Sequence, residues 1–184
     1  MNIQAPIRTA NDFLRWNEGR EGKREFVRGK IVEMMTGGSR RHAELFLQLA
    51  FSLRQGLADP TLRITAADFG VRTAAGVRYP DVLVLRDEGD GRDLATSEPL
   101  VIGEILSPSS LAIDFGEKAA EYTALPSLLH YLVLSQDEPR LWLWRRGEDG
   151  AFGSPEMIAG AGESVTLDGL GLSLALADLY RGIA

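Results

Sequence analysis

Two apolar runs do most to constrain what this chain can become: "VRYPDVLVL", from Val77 to Leu85, and "LVIGEILSPSS", from Leu100 to Ser110. Each is rich in Val, Ile or Leu and reads as a buried strand, yet each carries a carboxylate, Asp81 in the first and Glu104 in the second. Residues two apart in a strand face the same side, so Asp81 shares a face with Leu83 and Leu85, and Glu104 with Ile102 and Leu106. Both acids are therefore expected to look inward. An ionised carboxylate left alone in such surroundings costs several kcal/mol or more, so each must meet a cation, a set of hydrogen-bond donors or a metal ion.

The rest of the chain supplies one α+β domain over residues 1–184, with a mostly contiguous central sheet. Thr9 followed three residues later by Asp12 caps a short amphipathic helix carrying Phe13, Leu14 and Trp16. "REFVRGKIVEMM" reads as two strands turning at Arg28-Gly29, with Phe26, Ile31 and Met34 as core residues. "RRHAELFLQLAFSLRQGL" places Leu45, Phe46, Leu49, Leu53 and Leu57 at helical spacing and is the longest helix. Beyond Thr61 the pattern turns to strands, and "RDEGDGRDLATSEP" reads as an exposed loop. A helix is expected to begin at Asp114 and to end near Pro126. The strands "LLHYLVL" and "RLWLWRR" come next, then a last strand and a short terminal helix.

Composition removes several kinds of function. There are no cysteines, which excludes disulfide frameworks, thiolate nucleophiles and Cys-based zinc sites. The two histidines, His42 and His130, have no nucleophile signature beside them, and no Gly-rich phosphate loop occurs. A net charge of −6 argues against a broad non-specific grip on nucleic acid, though Arg40, Arg41, Arg140, Arg145 and Arg146 can form a local basic rim. The N-terminal stretch lacks the pattern of a signal peptide, and no segment reaches the ~20 apolar residues of a membrane span, so the expected location is cytoplasmic, with no membrane partner.

Asp114, Lys118 and Tyr122 fall at i, i+4 and i+8, along one helical face from which Lys118 can point at the two acids. Two carboxylates with a lysine beside them suit magnesium-dependent phosphodiester cleavage. Mg²⁺ takes oxygen ligands from one or two carboxylates and completes its shell with water and substrate phosphate, while a lysine offsets charge on the phosphate or orients water. Blander readings stand beside this one. Asp81 can be a strand-end acid bonded to backbone, Glu104 half of a buried ion pair, and Lys118 a solvated lysine paired with Glu117, Glu121 or Asp114. Trp142 and Trp144 share a strand face and either pack inside or meet a second subunit.

"YPDVLVL", "VIGEILSPSS" and "DFGEKAAEY", in that order, resemble the Uma2 (DUF820) family, a restriction-endonuclease-like branch of the PD-(D/E)xK nuclease superfamily. The resemblance runs from about "REFVRGKIVEM" to "RLWLWRR". It implies a restriction endonuclease-like core, a mixed sheet flanked by helices, with Asp81 and Glu104 as ligands of Mg²⁺ or Mn²⁺ and the Ile105 carbonyl completing the protein ligands. The superfamily pattern has lysine two residues after the second acid. Here that residue is Leu106, and the resemblance implies that Lys118 takes its place from the following helix. It also implies accessory parts for His42, Glu44, Glu25 and Asp68, with the Tyr122 hydroxyl near the site. In "SPSS", Pro108 stops the strand, and Ser109 or Ser110 caps the helix entry. The activity implied is endonucleolytic cleavage, with DNA as partner and a homodimer as the assembly, for which "RLWLWRR" is the apolar surface. A protein that kept the nuclease scaffold only to bind or assemble is the reading from another class. In it, Lys118 is salt-bridged to the acids.

Overall fold

The computed structural model describes residues 7–35, 37–107 and 110–183. The chain opens with α1 (Ala10–Asn17), β1 (Lys23–Val27), β2 (Lys30–Met34), α2 (Arg40–Gly56), β3 (Leu62–Ala66), β4 (Gly70–Thr73) and β5 (Gly76–Arg78). β6 (Val82–Arg86), β7 (Ala95–Thr96) and β8 (Pro99–Ile105) come next. One helical stretch then runs through α3 (Leu111–Ile113), a π-helical turn (Asp114–Lys118) and α4 (Ala119–Thr123). β9 (His130–Leu134), β10 (Arg140–Arg145), β11 (Glu156–Ala159), β12 (Ser164–Leu167), β13 (Leu172–Ala175) and α5 (Leu176–Leu179) complete it.

Local chemistry explains the first elements. The Thr9 side chain accepts from the Asp12 N–H, and the Asp12 carboxylate accepts from the Thr9 N–H, the reciprocal box that starts α1. Between β1 and β2, Arg28 (φ 49°) and Gly29 (φ 78°) both adopt the left-handed backbone that a two-residue hairpin turn demands. Phe26 is buried there, as expected. Ile31 is not: it is 37% exposed, because β2 is the edge strand of its sheet and is mostly open to solvent.

The expected single sheet is three among the described residues. β11-β10-β9-β8-β6-β3 forms the central one, antiparallel except for the parallel pair β8–β9; β2-β1-β5-β4-β7 forms a second, and β12-β13 a hairpin. The break falls inside "VRYPDVLVL", which is two strands in two sheets. β5 ends at Arg78, β6 starts at Val82, and Asp81 lies in the gap. Pro80 has no N–H for a ladder, and the Tyr79 N–H donates instead to the Glu25 carboxylate at 3.2 Å. The loop from Arg86 to Glu98 is largely exposed but includes the short strand β7, which runs parallel to β4.

Both faces of the central sheet are covered, which is why its strands are apolar throughout. Val82, Val84, Val101, Ile105, Leu132 and Leu134 face α2, α5 and the β12-β13 hairpin, packing on Leu45, Leu49, Leu53 and Leu176. Leu83, Leu85, Ile102, Leu106, Tyr131 and Val133 face the other way, onto Ala119, Tyr122, Leu125 and Leu128. Glu104 lies between Ile102 and Leu106 on this second face, 4% exposed. β10 is an interior strand, so it offers no apolar edge to a partner; Trp144 packs on Phe115 and Tyr131, and Trp142 meets Phe115 edge-on. Among the described residues no helix is long and apolar enough to cross a membrane.

The helix after β8 begins earlier than expected, at Leu111, following a turn in which the Ser107 N–H donates to the Ser110 hydroxyl at 3.0 Å. The stop at Pro108 and the cap at Ser109 lie outside the described residues.

Candidate active site

β6 and β8 pair antiparallel with Val82 opposite Gly103, which brings the start of one to the end of the other. Asp81, one residue before β6, reaches across, and its Oδ2 accepts from the Ile105 N–H at 2.8 Å. Two acids separated by 23 positions in the chain thus meet at the same end of the central sheet. Ile105 therefore enters the site through its N–H, which holds Asp81. Nothing among the described residues assigns its carbonyl a ligand.

The helical stretch crosses from β8 to β9 over the face that carries Glu104. From its π-turn Lys118 reaches in, buried, with Nζ 2.9 Å from Glu104 Oε1. The Tyr122 hydroxyl donates to the same oxygen at 3.1 Å. Lys118 is not a solvated lysine, and Glu117 and Glu121 are not its partners: both belong to Arg78. Leu106, two residues after Glu104, is buried in the apolar cluster beneath, and Lys118 is the ammonium that meets Glu104. Asp114 is also in ion-pair contact with Lys118, with Oδ1 3.0 Å from Nζ.

Burial pushes the Glu104 carboxyl up to about 8; Lys118 pulls the other way, while Asp81 and Asp114 add to the rise. Burial likewise works against the Lys118 ammonium, but Glu104, Asp114 and Glu25 more than offset it and hold the group above its ordinary value. Tyr122 is raised by burial and then by the Glu104 charge, so its hydroxyl stays a donor.

His42 joins this site. It sits in the first turn of α2, its N–H donating to the Ser39 hydroxyl, and its Nε2 is 3.3 Å from Asp81 Oδ2. Gln136 fastens that helix end to the sheet, accepting from the Ser39 hydroxyl and donating to the Leu106 carbonyl. Glu44 points elsewhere and pairs with Arg40 at 3.5 Å on the surface. Asp68 is exposed in the turn between β3 and β4 rather than on a strand. Glu25 is buried, but its carboxylate is given to Arg78 Nη1 at 2.8 Å and to the Tyr79 N–H.

Arg78 was not legible as a functional residue, and it organises the neighbouring cluster. It donates to Glu25, to both oxygens of Glu121 (2.9 and 2.5 Å) and at 3.5 Å to Glu117. Burial opposes its charge, and the bonds from Glu121 and Glu25 prevail, holding the guanidinium above its ordinary value. The available signal was Glu117 and Glu121 at i, i+4 on a helix already read as facing the sheet. Of the basic rim, Arg145 and Arg146 are occupied by backbone carbonyls, and Arg140 pairs with Glu138. Arg40 and Arg41, next to His42 in the chain, make surface pairs with Glu44 at 3.5 Å and Asp137 at 3.8 Å.

Among the described residues no group of three or more His, Asp and Glu side chains is placed to hold a metal ion by itself. The donor set does fit a hard cation that needs only two carboxylates. Glu104 uses only Oε1 for its protein partners and Asp81 only Oδ2, and the second oxygen of each has no hydrogen bond among the described residues.

The sequence model of the Uma2 family, described as "Putative restriction endonuclease", matches residues 10–177. An uncharacterized protein of Synechocystis is 29% identical over 97% of this chain and 94% of its own length. A second from the same organism is 31% identical over 71% of this chain and 76% of its own. The crystal structure of a "putative nuclease belonging to DUF820" from Anabaena variabilis superposes with a TM-score of 0.72 at 16% identity, covering 96% of this chain and 99% of the other.

Proposed function

Since the chain belongs to the Uma2 family, we propose that it is a divalent-metal-dependent endonuclease that hydrolyses phosphodiester bonds of DNA. One observation carries the reading. Asp81 and Glu104 converge on one end of a nuclease-fold sheet, a lysine is seated on Glu104, and each acid keeps one oxygen without a protein partner among the described residues. Asp81 and Glu104 are the residues that would hold Mg²⁺ or Mn²⁺. When bound, such an ion neutralises charge at the scissile phosphate and makes water a better nucleophile.

The chain's own groups do the remaining work. The Ile105 N–H fixes the Asp81 carboxylate, so that its other oxygen has a defined direction. Tyr122 fixes Glu104 in the same way. Lys118, a buried cation, donates to the attacking water or to a non-bridging phosphate oxygen, where a low-dielectric setting magnifies its effect. Arg40 and Arg41 meet the DNA backbone at the start of α2 and set its register rather than its sequence. The proposed assembly is a homodimer, one site for each strand of a duplex, which sedimentation of the purified protein tests.

A second reading is favoured by the Lys118–Glu104 bond itself, which is closed at 2.9 Å. In that reading the scaffold binds or assembles, and the ion pair has replaced the cation. The Mn²⁺-dependent shift of the melting temperature separates the two, because a ligand that binds only the folded state stabilises it by RT ln(1 + [L]/Kd). A nuclease gives a shift that D81N and E104Q both lose, together with Mg²⁺-dependent nicking of plasmid that they also lose. A scaffold gives no shift and no nicking.

A further inference from the structure

Asp114 is the least explained charge in the molecule. It is 1% exposed, and among the described residues no hydrogen-bond donor serves its buried Oδ1; the Lys118 ammonium at 3.0 Å is the cation it meets. A buried carboxylate so poorly served is costly, and apolar groups would fill the space at no such cost. Its position is nevertheless fixed with care. The Asp114 carbonyl accepts from the Tyr131 hydroxyl at 3.0 Å, and the residue opens the π-turn that ends at Lys118. Such turns are rare and recur at functional sites.

The arithmetic of charge suggests what Asp114 does. Lys118 lies between two carboxylates, 2.9 Å from Glu104 Oε1 and 3.0 Å from Asp114 Oδ1. If Glu104 were its sole anion, every cation drawn to Glu104 would have to compete with the ammonium and would tend to expel it. A second carboxylate in contact with the lysine removes that conflict. We infer that Asp114 is a positioning residue that holds Lys118 at the site while Glu104 is given over to a divalent cation. The inference rests on the proposed metal-dependent chemistry and adds to it a part outside the acid-acid-lysine set: an anion that serves the lysine alone.

The test uses the intact chain and two readouts, neither of which depends on turnover. In the first, the Mn²⁺ concentration for half-maximal thermal shift is compared in wild type, D114N and the double variant D114N/K118M. D114N leaves the ammonium wholly on Glu104 and raises the half-point about tenfold, within the range found for residues of one ion network. D114N/K118M has no ammonium to displace and returns it to the wild-type value or below. A purely structural Asp114 lowers the melting temperature of D114N but leaves the half-point where it was.

The second readout needs no variant. Acylation of Lys118 by an amine-reactive ester, followed by mass spectrometry, is compared in wild type with and without saturating Mn²⁺. If Asp114 retains the ammonium, Lys118 stays as protected with Mn²⁺ as without it. A rise of about tenfold, the mark of an ammonium expelled to solvent, overturns the inference even if D114N does not fold. An unchanged half-point in D114N also overturns it and leaves the metal site standing. Absence of any Mn²⁺ shift in wild type removes the metal site and this inference together.

Discussion

Two buried ion clusters flank the same helical stretch, and they are built to opposite rules. Around Arg78, both oxygens of Glu25 and both of Glu121 accept hydrogen bonds, and Thr73 adds one more to Glu121 at 3.1 Å. Around Lys118, Glu104 and Asp81 each crowd their protein partners onto one oxygen, and Asp114 has an ion-pair contact without an aligned bond. Satisfied networks rigidify a fold; a buried group left half satisfied calls for another reason to be there. The first cluster fastens β1 and β5, in the second sheet, to the helix. The second has capacity to spare, and that capacity faces the residues proposed to bind a cation.

This contrast can be broken. The largest expected effect is that of R78M, which strands Glu25 and Glu121 as buried anions and should cost about 3–5 kcal/mol in urea unfolding. A loss below ~1 kcal/mol would mean that the closed cluster is not holding the sheets together. E104Q should cost less, about 1–2 kcal/mol at neutral pH, because an amide oxygen still accepts from Lys118 and Tyr122.

E104Q also gives the contrast a sign. The folded pKa of Glu104, about 8, lies above the unfolded value of 4.5, so the native state binds the extra proton between those two values. Stability contributed by protonated Glu104 is therefore full below pH ~4.5 and is lost as pH rises through about 8. Lys118 stays charged throughout this window, since its pKa is raised from 10.5. The stability of wild type relative to E104Q should fall steadily across that interval, as followed by melting temperature; a difference that rises with pH would contradict the open-cluster assignment.

Y122F removes one bond to Glu104 and should cost about 0.5–1.5 kcal/mol by the same unfolding assay. E44A should be the mildest. It deletes only a surface pair with Arg40, so stability stays within ~0.5 kcal/mol and the Mn²⁺ response is unchanged. A lost Mn²⁺ response in E44A would place Glu44 at the site after all.

What could be read from sequence was what is local or periodic. The Thr9–Asp12 box, the Arg28-Gly29 turn and the Leu45, Leu49, Leu53 stripe each depend on neighbours within a few residues. Asp81 and Glu104 stood out because charges inside apolar patterns are conspicuous, and helix spacing pointed Lys118 at them; the meeting of the two acids was implied by the family resemblance rather than by strand spacing, since Asp81 lies between two strands. Arg78 escaped because its partners lie 53 and 43 positions away and no periodicity links them. The break at Asp81 escaped for a related reason. An apolar run covered on both faces carries no alternation to mark where one strand ends, and the end is set by Pro80 and by Glu25 taking the Tyr79 N–H. Ile31 was misread because nothing in β2 itself reveals that it is an edge.

The π-turn from Asp114 to Lys118 has one further consequence, which concerns length rather than chemistry. A π-turn is an α-helix with one residue too many, so losing one residue there closes it to an ordinary α-turn and leaves the helix on either side close to its place. Gly116, where an added Cβ would meet nothing within 4 Å, can be lost without disturbing a packed side chain. Its deletion would leave every named side chain of both clusters in the chain and keep Lys118 and Tyr122 close to Glu104. A single-codon gap here is then far milder than a substitution of the lysine. An alignment that opens one in this stretch still pairs residues that occupy the same place.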